Sequence, residues 1–130
     1  MQILQPPGWA RPRGYSNGIA ATGRMVFVSG MVGWDAECRF QTDDFAGQVR
    51  QALENALAVL SEAGGTAEHI ARMTWYVIDK NEYVGAYKAI GQIYRELIGN
   101  HYPAMTAVEV SGLLEPRARV EIEVTAVVPA

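Results

Sequence analysis

The sequence has few of the residues that build metal sites and disulfides. Cys38 is the only cysteine among 130 residues, and only two histidines accompany it. One cysteine cannot form an intramolecular disulfide, and these three side chains fall short of a standard zinc site. The glycines match no phosphate-loop spacing. We therefore expect no disulfide, no metal and no cofactor.

The sequence also lacks an excess of positive charge and any long apolar run. Its formal net charge is −3, whereas a nucleic-acid-binding surface needs clustered basic residues. No stretch approaches the ~20 apolar residues that cross a bilayer. The first seven residues do not form a basic segment followed by an apolar one. The expectation is a cytoplasmic protein that binds neither nucleic acid nor membrane.

The composition is that of one folded domain. Hydrophobic residues make up 49% of the chain and charged residues 19%. A chain of this length can bury one core and is too short for two ordinary domains. No repeat or linker interrupts it, so we expect a single domain over residues 1–130.

Alternating patterns predict two strands near the N-terminus, over residues 15–20 and 24–29. They flank the turn signal Thr22-Gly23, which indicates a hairpin. Further along, Thr42-Asp43-Asp44 offers helix-capping side chains before a period-3.6 segment that Gly64-Gly65 ends.

The second half predicts an interior strand over residues 70–78, a helix over 81–98, and strands over 105–110 and 119–128. The order ββαβαββ is typical of an α+β domain, here a six-stranded mixed sheet with both helices on one face. Strands that are apolar on both sides would leave the other face exposed. We therefore expect an oligomer.

Three segments carry a family resemblance: Val-Ser-Gly at 28–30, Tyr-Pro-Ala-Met at 102–105 and Arg-Val-Glu-Ile-Glu-Val at 119–124. They resemble the RidA family (YjgF/YER057c/UK114), small trimeric proteins whose best-known members hydrolyse enamines and imines. The resemblance implies a fold like that of bacterial chorismate mutase, a homotrimer, and small-molecule sites in clefts between subunits.

The resemblance also implies site residues. Tyr15 stands where the family places an aromatic hydroxyl near the ligand. Ser29 and Gly30 match a pair that contributes a hydroxyl and backbone N–H groups. Glu121 matches the glutamate that orients or activates the attacking water, so it is the candidate catalytic residue.

Three positions depart from the family pattern. Met105 stands where the deaminases carry the arginine that binds the substrate carboxylate, and Met31 stands in place of a glutamine. The asparagine of the second helix appears as Tyr87 or Lys88. A thioether cannot replace the two charge-assisted bonds of an arginine, so 2-iminopropanoate-type substrates should be poor ones.

Met31 and Met105 would instead line an apolar, substrate-binding cleft that suits a larger or aromatic ligand. Four arginines could supply a carboxylate partner by another route, namely Arg13, Arg24, Arg117 and Arg119.

Each of these residues also has a structural interpretation. Glu121 could point to solvent or pair with Arg119 or Lys88, as strand carboxylates usually do. Met31 and Met105 could be core fillers, while Ser29 and Tyr15 could serve packing and strand termination.

Two functions from different classes therefore stand. The first is a cofactor-free hydrolase of enamines or imines other than 2-iminopropanoate. The alternative is a noncatalytic trimer that binds an apolar metabolite. The endoribonuclease activity attached to some family names is the least favoured, because the chain is acidic.

Overall fold

The computed structural model describes all residues from 1 to 130. Six strands, three α-helices and one 3-10 turn (Ala67–His69) make up the fold. The strands are β1 (Gln2–Leu4), β2 (Gly18–Ala20), β3 (Arg24–Val32), β4 (Ile70–Val77), β5 (Ala104–Glu109) and β6 (Val120–Val128). The helices are α1 (Phe45–Ser61), α2 (Lys80–Gly85) and α3 (Tyr87–Leu97).

Four of the strands form the main sheet, in the order β3-β6-β4-β5. The β3/β6 and β6/β4 pairs are antiparallel, and β4/β5 is parallel. The α+β class and the mixed sheet are therefore confirmed. Strand β4 lies between two neighbours, as its apolar pattern predicts. The other two strands form a separate two-stranded sheet, so the six strands are divided between two sheets.

The helices cover one face of the main sheet. Alternate residues of β6 are buried on that face, among them Val120, Ile122 and Val124. Helix α1 packs on β3, β6 and α3. It begins where the sequence predicts, since Oδ2 of Asp44 accepts a hydrogen bond from Gly47 N at 2.9 Å.

The predicted hairpin of residues 15–20 with 24–29 is wrong. Strand β2 pairs with β1 at the N-terminus, and β3 pairs only with β6. The start of the 15–20 segment lies beside β5 instead, because Ser16 N donates to Pro103 O at 3.0 Å. Strand β5 is at the edge of the sheet opposite β3, so this segment cannot also flank β3.

The predicted second helix is two helices. Lys80–Gly85 and Tyr87–Leu97 are separated at Ala86, whose φ and ψ are −102° and 9°. Gly85 is the last residue of α2, and glycine has low helix propensity, so a break here costs little. No helix in the chain combines the length and apolarity of a membrane-spanning segment.

The face of the main sheet away from the helices is mixed rather than wholly apolar. Phe27 and Met25 on β3 are 71% and 61% exposed, and Val108 on β5 is 40% exposed. Glu121 and Glu123 of β6 lie on the same face, because their neighbour Ile122 faces the core. On the open face, the apolar side chains of β3 therefore lie beside the carboxylates of β6.

One buried polar side chain ties the loop before β6 to α1. Gln48 is fully buried and makes three hydrogen bonds. Its Nε2 donates to the carbonyls of Thr42 and Arg117, each at 3.0 Å, and its Oε1 accepts from Arg119 N at 2.7 Å. These bonds hold the chain that leads into the central strand.

Replacing Gln48 by leucine should destabilise the protein by roughly 2–4 kcal/mol, because buried backbone groups lose their partners. Chemical denaturation measures this. Gln92→Leu, at an exposed site on α3, is the matched control and should change the free energy of unfolding by less than about 0.5 kcal/mol. Equal stability of the two variants would show that these three bonds contribute nothing.

Candidate functional site

A cavity of about 530 Å³ lies between the helices, the β4/β5 edge and the N-terminal segment. This volume is in the range of small-ligand pockets. We call it the aromatic cavity, because six of its thirteen lining residues are Tyr or Trp. The lining is Arg13, Gly14, Tyr15, Trp75, Tyr83, Tyr87, Ile90, Gly91, Tyr94, Arg95, Tyr102, Met105 and Ala107.

Pairs of rings form the walls of the aromatic cavity. Tyr83 and Tyr87 meet edge to face, with centroids 5.3 Å apart and planes at 81°. Tyr94 and Tyr102 are stacked, with centroids 5.6 Å apart and planes at 7°. Trp75 meets Tyr83 edge to face at 6.0 Å. Aromatic pairs favour these arrangements, so the walls are preorganised.

Tyr15 reaches the aromatic cavity because its neighbour is fixed to the edge of the sheet. Ser16 is buried; its backbone bonds to Pro103, and its hydroxyl donates to the carbonyl of Tyr102. Tyr15 itself is 42% exposed. The structure therefore places this residue beside the start of β5, where Met105 lies.

Met105 faces the helices. It pairs with Met73, which is fully buried, and residues paired across strands share a face. Its side chain packs on the core and lines the aromatic cavity. Met105 is therefore both a cavity-lining residue and a residue that packs against the core.

Met31 is not part of the aromatic cavity. It lies on β3, pairs with Ile122 and packs against the core. Two strands, β6 and β4, separate it from Met105 on β5. Within one chain Met31 is a core residue, and the two methionines do not share a cleft.

Ser29, Gly30 and Glu121 form a second group, which we call the bulge site. The pairing between β3 and β6 shifts by one residue between Val28 and Met31, so Ser29 and Gly30 form a bulge. The carboxylate of Glu121 lies directly over Gly30, where an added Cβ would be 2.8 Å from Cδ of Glu121. Any larger residue at position 30 would therefore displace the Glu121 carboxylate from its place over the bulge.

Glu121 is half-buried, and neither an ion pair nor a side-chain hydrogen bond engages it. Arg119, a partner considered from the sequence, is forked onto Glu82 with two bonds of 3.0 Å. The neighbouring Glu123 accepts from the Tyr76 hydroxyl at 2.6 Å. Glu121 is therefore the carboxylate of this strand that is free to act on a water or ligand.

The bulge site and the aromatic cavity lie on opposite faces of the sheet. Glu121 alternates with the core residue Ile122, whereas Met105 shares the helix face with Met73. In one chain, Ser29 and Glu121 therefore do not come together with Met105. The reason is the strand order, which puts β3 and β5 at opposite edges.

Both charged residues that line the aromatic cavity are arginines. Arg13 and Arg95 are exposed, and neither is in an ion pair. Burial is the main cause that raises the pKa of Tyr83 and of Tyr94, so both phenols stay neutral at physiological pH. The cavity therefore combines a weakly polar wall with positive charge at its margin.

Sequence reasoning missed Arg95 and the Tyr94–Tyr102 stack. The signal for Arg95 was helical spacing, since Tyr87, Gly91 and Arg95 recur every four residues along one side of α3. The stack joins a helix to a loop, so no local pattern could reveal it. Nowhere do three His, Cys, Asp or Glu side chains cluster as metal ligands would.

Known proteins resemble this chain over most of its length. Residues 9–128 match the family model for Endoribonuclease L-PSP. The 2-iminobutanoate/2-iminopropanoate deaminase of Salmonella typhimurium is 32% identical over 108 residues, which cover 81% of this chain and 80% of that protein.

Solved structures also resemble this chain. YyfB of Yersinia pestis, a protein of unknown function of the conserved Rid protein family, has a TM-score of 0.85 at 29% identity and matches over 98% of both chains. Escherichia coli TdcF, solved with bound serine, has a TM-score of 0.71 at 28% identity, again over 98% of both chains. The chain therefore belongs to the RidA (YjgF/YER057c/UK114) family.

Proposed function

We propose that this chain forms a homotrimer that binds a small metabolite in clefts between subunits and hydrolyses its C=N bond without a cofactor. The bulge site of one subunit would complete the aromatic cavity of the next. The proposed site is then Tyr15 and Met105 from one chain with Ser29, Gly30 and Glu121 from its neighbour. Met31, which packs against the core on the helix face of the sheet, would support the bulge from that face.

The main support for hydrolysis is the carboxylate of Glu121, which is half-buried and unpaired above the Ser29–Gly30 bulge. In such a reaction water adds its oxygen to the imine carbon, the C–N bond breaks, and a carbonyl compound and ammonia are released. Glu121 would accept a proton from the attacking water and pass it to the leaving nitrogen. Relatives named as 2-iminobutanoate/2-iminopropanoate deaminases support this reaction class.

The main support for the oligomer is that Glu121 and Met105 of one chain lie on opposite faces of the sheet, so a site that contains both needs a second chain. An exposed, apolar β3 edge is the natural contact, with Phe27 and Met25 more than half exposed. Buried apolar area drives such association, and closed symmetry satisfies it without leaving a free patch.

A noncatalytic trimer is the second candidate. The thioether of Met105 lines the cavity where the family resemblance implies an arginine. A ligand could still occupy the aromatic cavity without a water being directed at it. Catalysis by Glu121 separates the two candidates.

The trimer should depend on Phe27. Wild-type protein should sediment as a species of three 14.2 kDa chains, and Phe27→Glu should dissociate it, because a charge cannot be buried there without a partner. Val59→Glu, on the outer side of α1 where Val59 is 41% exposed, is the control and should remain a trimer. A wild-type monomer at micromolar concentration would refute the shared site.

Glu121→Gln should lower turnover of imines, generated in the assay from amino acids, by roughly 10²-fold, the scale of losing a general base. Ligand binding should persist, because the amide keeps the shape of the carboxylate. Glu123→Gln, two residues along the same face, is the matched control and should stay within a few-fold of wild type. Unchanged turnover in Glu121→Gln would leave the site without its proposed catalyst, and a wild-type rate equal to spontaneous imine hydrolysis would favour the noncatalytic candidate.

Met105→Arg should raise turnover of 2-iminopropanoate by at least roughly 30-fold, because a guanidinium offers its carboxylate two charge-assisted bonds. Met105→Leu keeps the volume without the charge and should give no gain. Wild-type activity on this substrate that already equals that of Met105→Arg would show that the missing charge is unimportant.

A further inference from the structure

Building on the proposed function, we propose that the ligand of the aromatic cavity is an aromatic carboxylate whose ring lies among the tyrosines and whose carboxylate binds Arg95. The expected substrate class is then a 2-imino acid with an aryl side chain rather than a short aliphatic one. Four independent features of the cavity support this.

The first feature is the wall of tyrosine rings that lines the cavity. Tyr83 and Tyr87 present edges and faces to the cavity, and the Tyr94–Tyr102 stack continues that surface. A planar ring can meet such walls edge to face or in offset stacks. A three-carbon substrate would leave most of the 530 Å³ unfilled.

The second feature is Trp75, which lines the aromatic cavity and is fully buried. Its Nε1–H is the one buried side-chain polar group in the structure without a hydrogen-bond partner. Buried polar groups are normally paired, and an orphan donor calls for a missing acceptor. A carboxylate oxygen or the imine nitrogen of the proposed ligand would supply it.

The third feature is charge. Arg13 and Arg95 are the charged residues of the cavity lining, and no carboxylate lies among them. Three other arginines considered from the sequence are engaged elsewhere: Arg117 with Asp43 at 2.9 Å, Arg119 with Glu82, and Arg24 with the Ala63 carbonyl at 2.7 Å. The cavity of an acidic protein is therefore suited to an anion.

The fourth feature is Gly91, inside α3, where glycine is less favourable than alanine. A Cβ at Gly91 would lie 3.4 Å from Nη1 of Arg95, so the guanidinium extends back along the helix over this position. The missing side chain leaves room beside the guanidinium at the cavity wall. Arg95 is on a regular helix, whereas Arg13 is on an irregular segment, and we therefore assign the carboxylate to Arg95.

Calorimetry with three unreactive probes tests this: 3-phenylpropanoate, propanoate and the neutral 3-phenylpropanamide. The aromatic carboxylate should bind at least roughly 10-fold more tightly than either of the other two. Arg95→Gln should weaken 3-phenylpropanoate by roughly 10-fold and leave the amide unchanged. Arg50→Gln removes the same charge from a helix surface outside the cavity and should leave all three affinities unchanged.

Gly91→Ala gives a second readout, because it should raise the melting temperature while weakening 3-phenylpropanoate. Equal affinities for the aromatic carboxylate and its amide would overturn the proposal, as would a larger loss from Arg13→Gln than from Arg95→Gln. Binding needs no catalysis, so this outcome is separate from the Glu121 result. Aromatic selectivity without turnover would refute only the hydrolase. Turnover without aromatic selectivity would refute only the ligand class.

Discussion

The alternation of β6 between core and open face is the constraint on which the rest of the structure depends. Ile122 pairs with Trp75 and closes the core, so Glu121 must lie on the other side of the sheet. Trp75 in turn forms part of the cavity that Met105 lines. A sheet is one backbone thick, and no side chain reaches through it. The candidate catalyst and the candidate binding cavity of one chain are therefore separated by the strands that make the domain stable, and a shared site needs a second chain.

Much of the fold follows from local patterns, and much of the site does not. The cap at Asp44 and the interior position of β4 were predictable, because helix capping and two-sided burial leave direct marks on a sequence. The partner of β2 was not, because alternation indicates a strand and says nothing of its neighbour. The sequence also did not indicate on which face of the sheet Met105 lies. Met105 and Ala107 alternate with Thr106 and Val108, and each pair contains an apolar residue, so neither is the obvious core face.

Positive charge lies at the margin of the aromatic cavity, on Arg13 and Arg95. The family resemblance implies an arginine at the start of β5, where this chain has a thioether. The chain instead carries guanidinium groups at the margin, on α3 and on the segment that precedes Tyr15. Charge at a margin remains partly hydrated, so each contact there is weaker than a buried one. A ligand held this way must gain much of its affinity from the aromatic walls, which favours a large apolar body over a small polar one.

Several features of the aromatic cavity lower the stability of the isolated chain. Gly91 lowers the helix propensity of α3. The indole N–H of Trp75 is buried without an acceptor. Tyr15 and Tyr87 leave 42% and 58% of their surface exposed. Elsewhere the chain satisfies its buried polar groups, as the three bonds of Gln48 show. Unfavourable helix propensity and unpaired polar groups that cluster in one place are characteristic of functional sites, when the rest of the molecule lacks them. The cavity is therefore arranged for an occupant that supplies an acceptor and covers the rings.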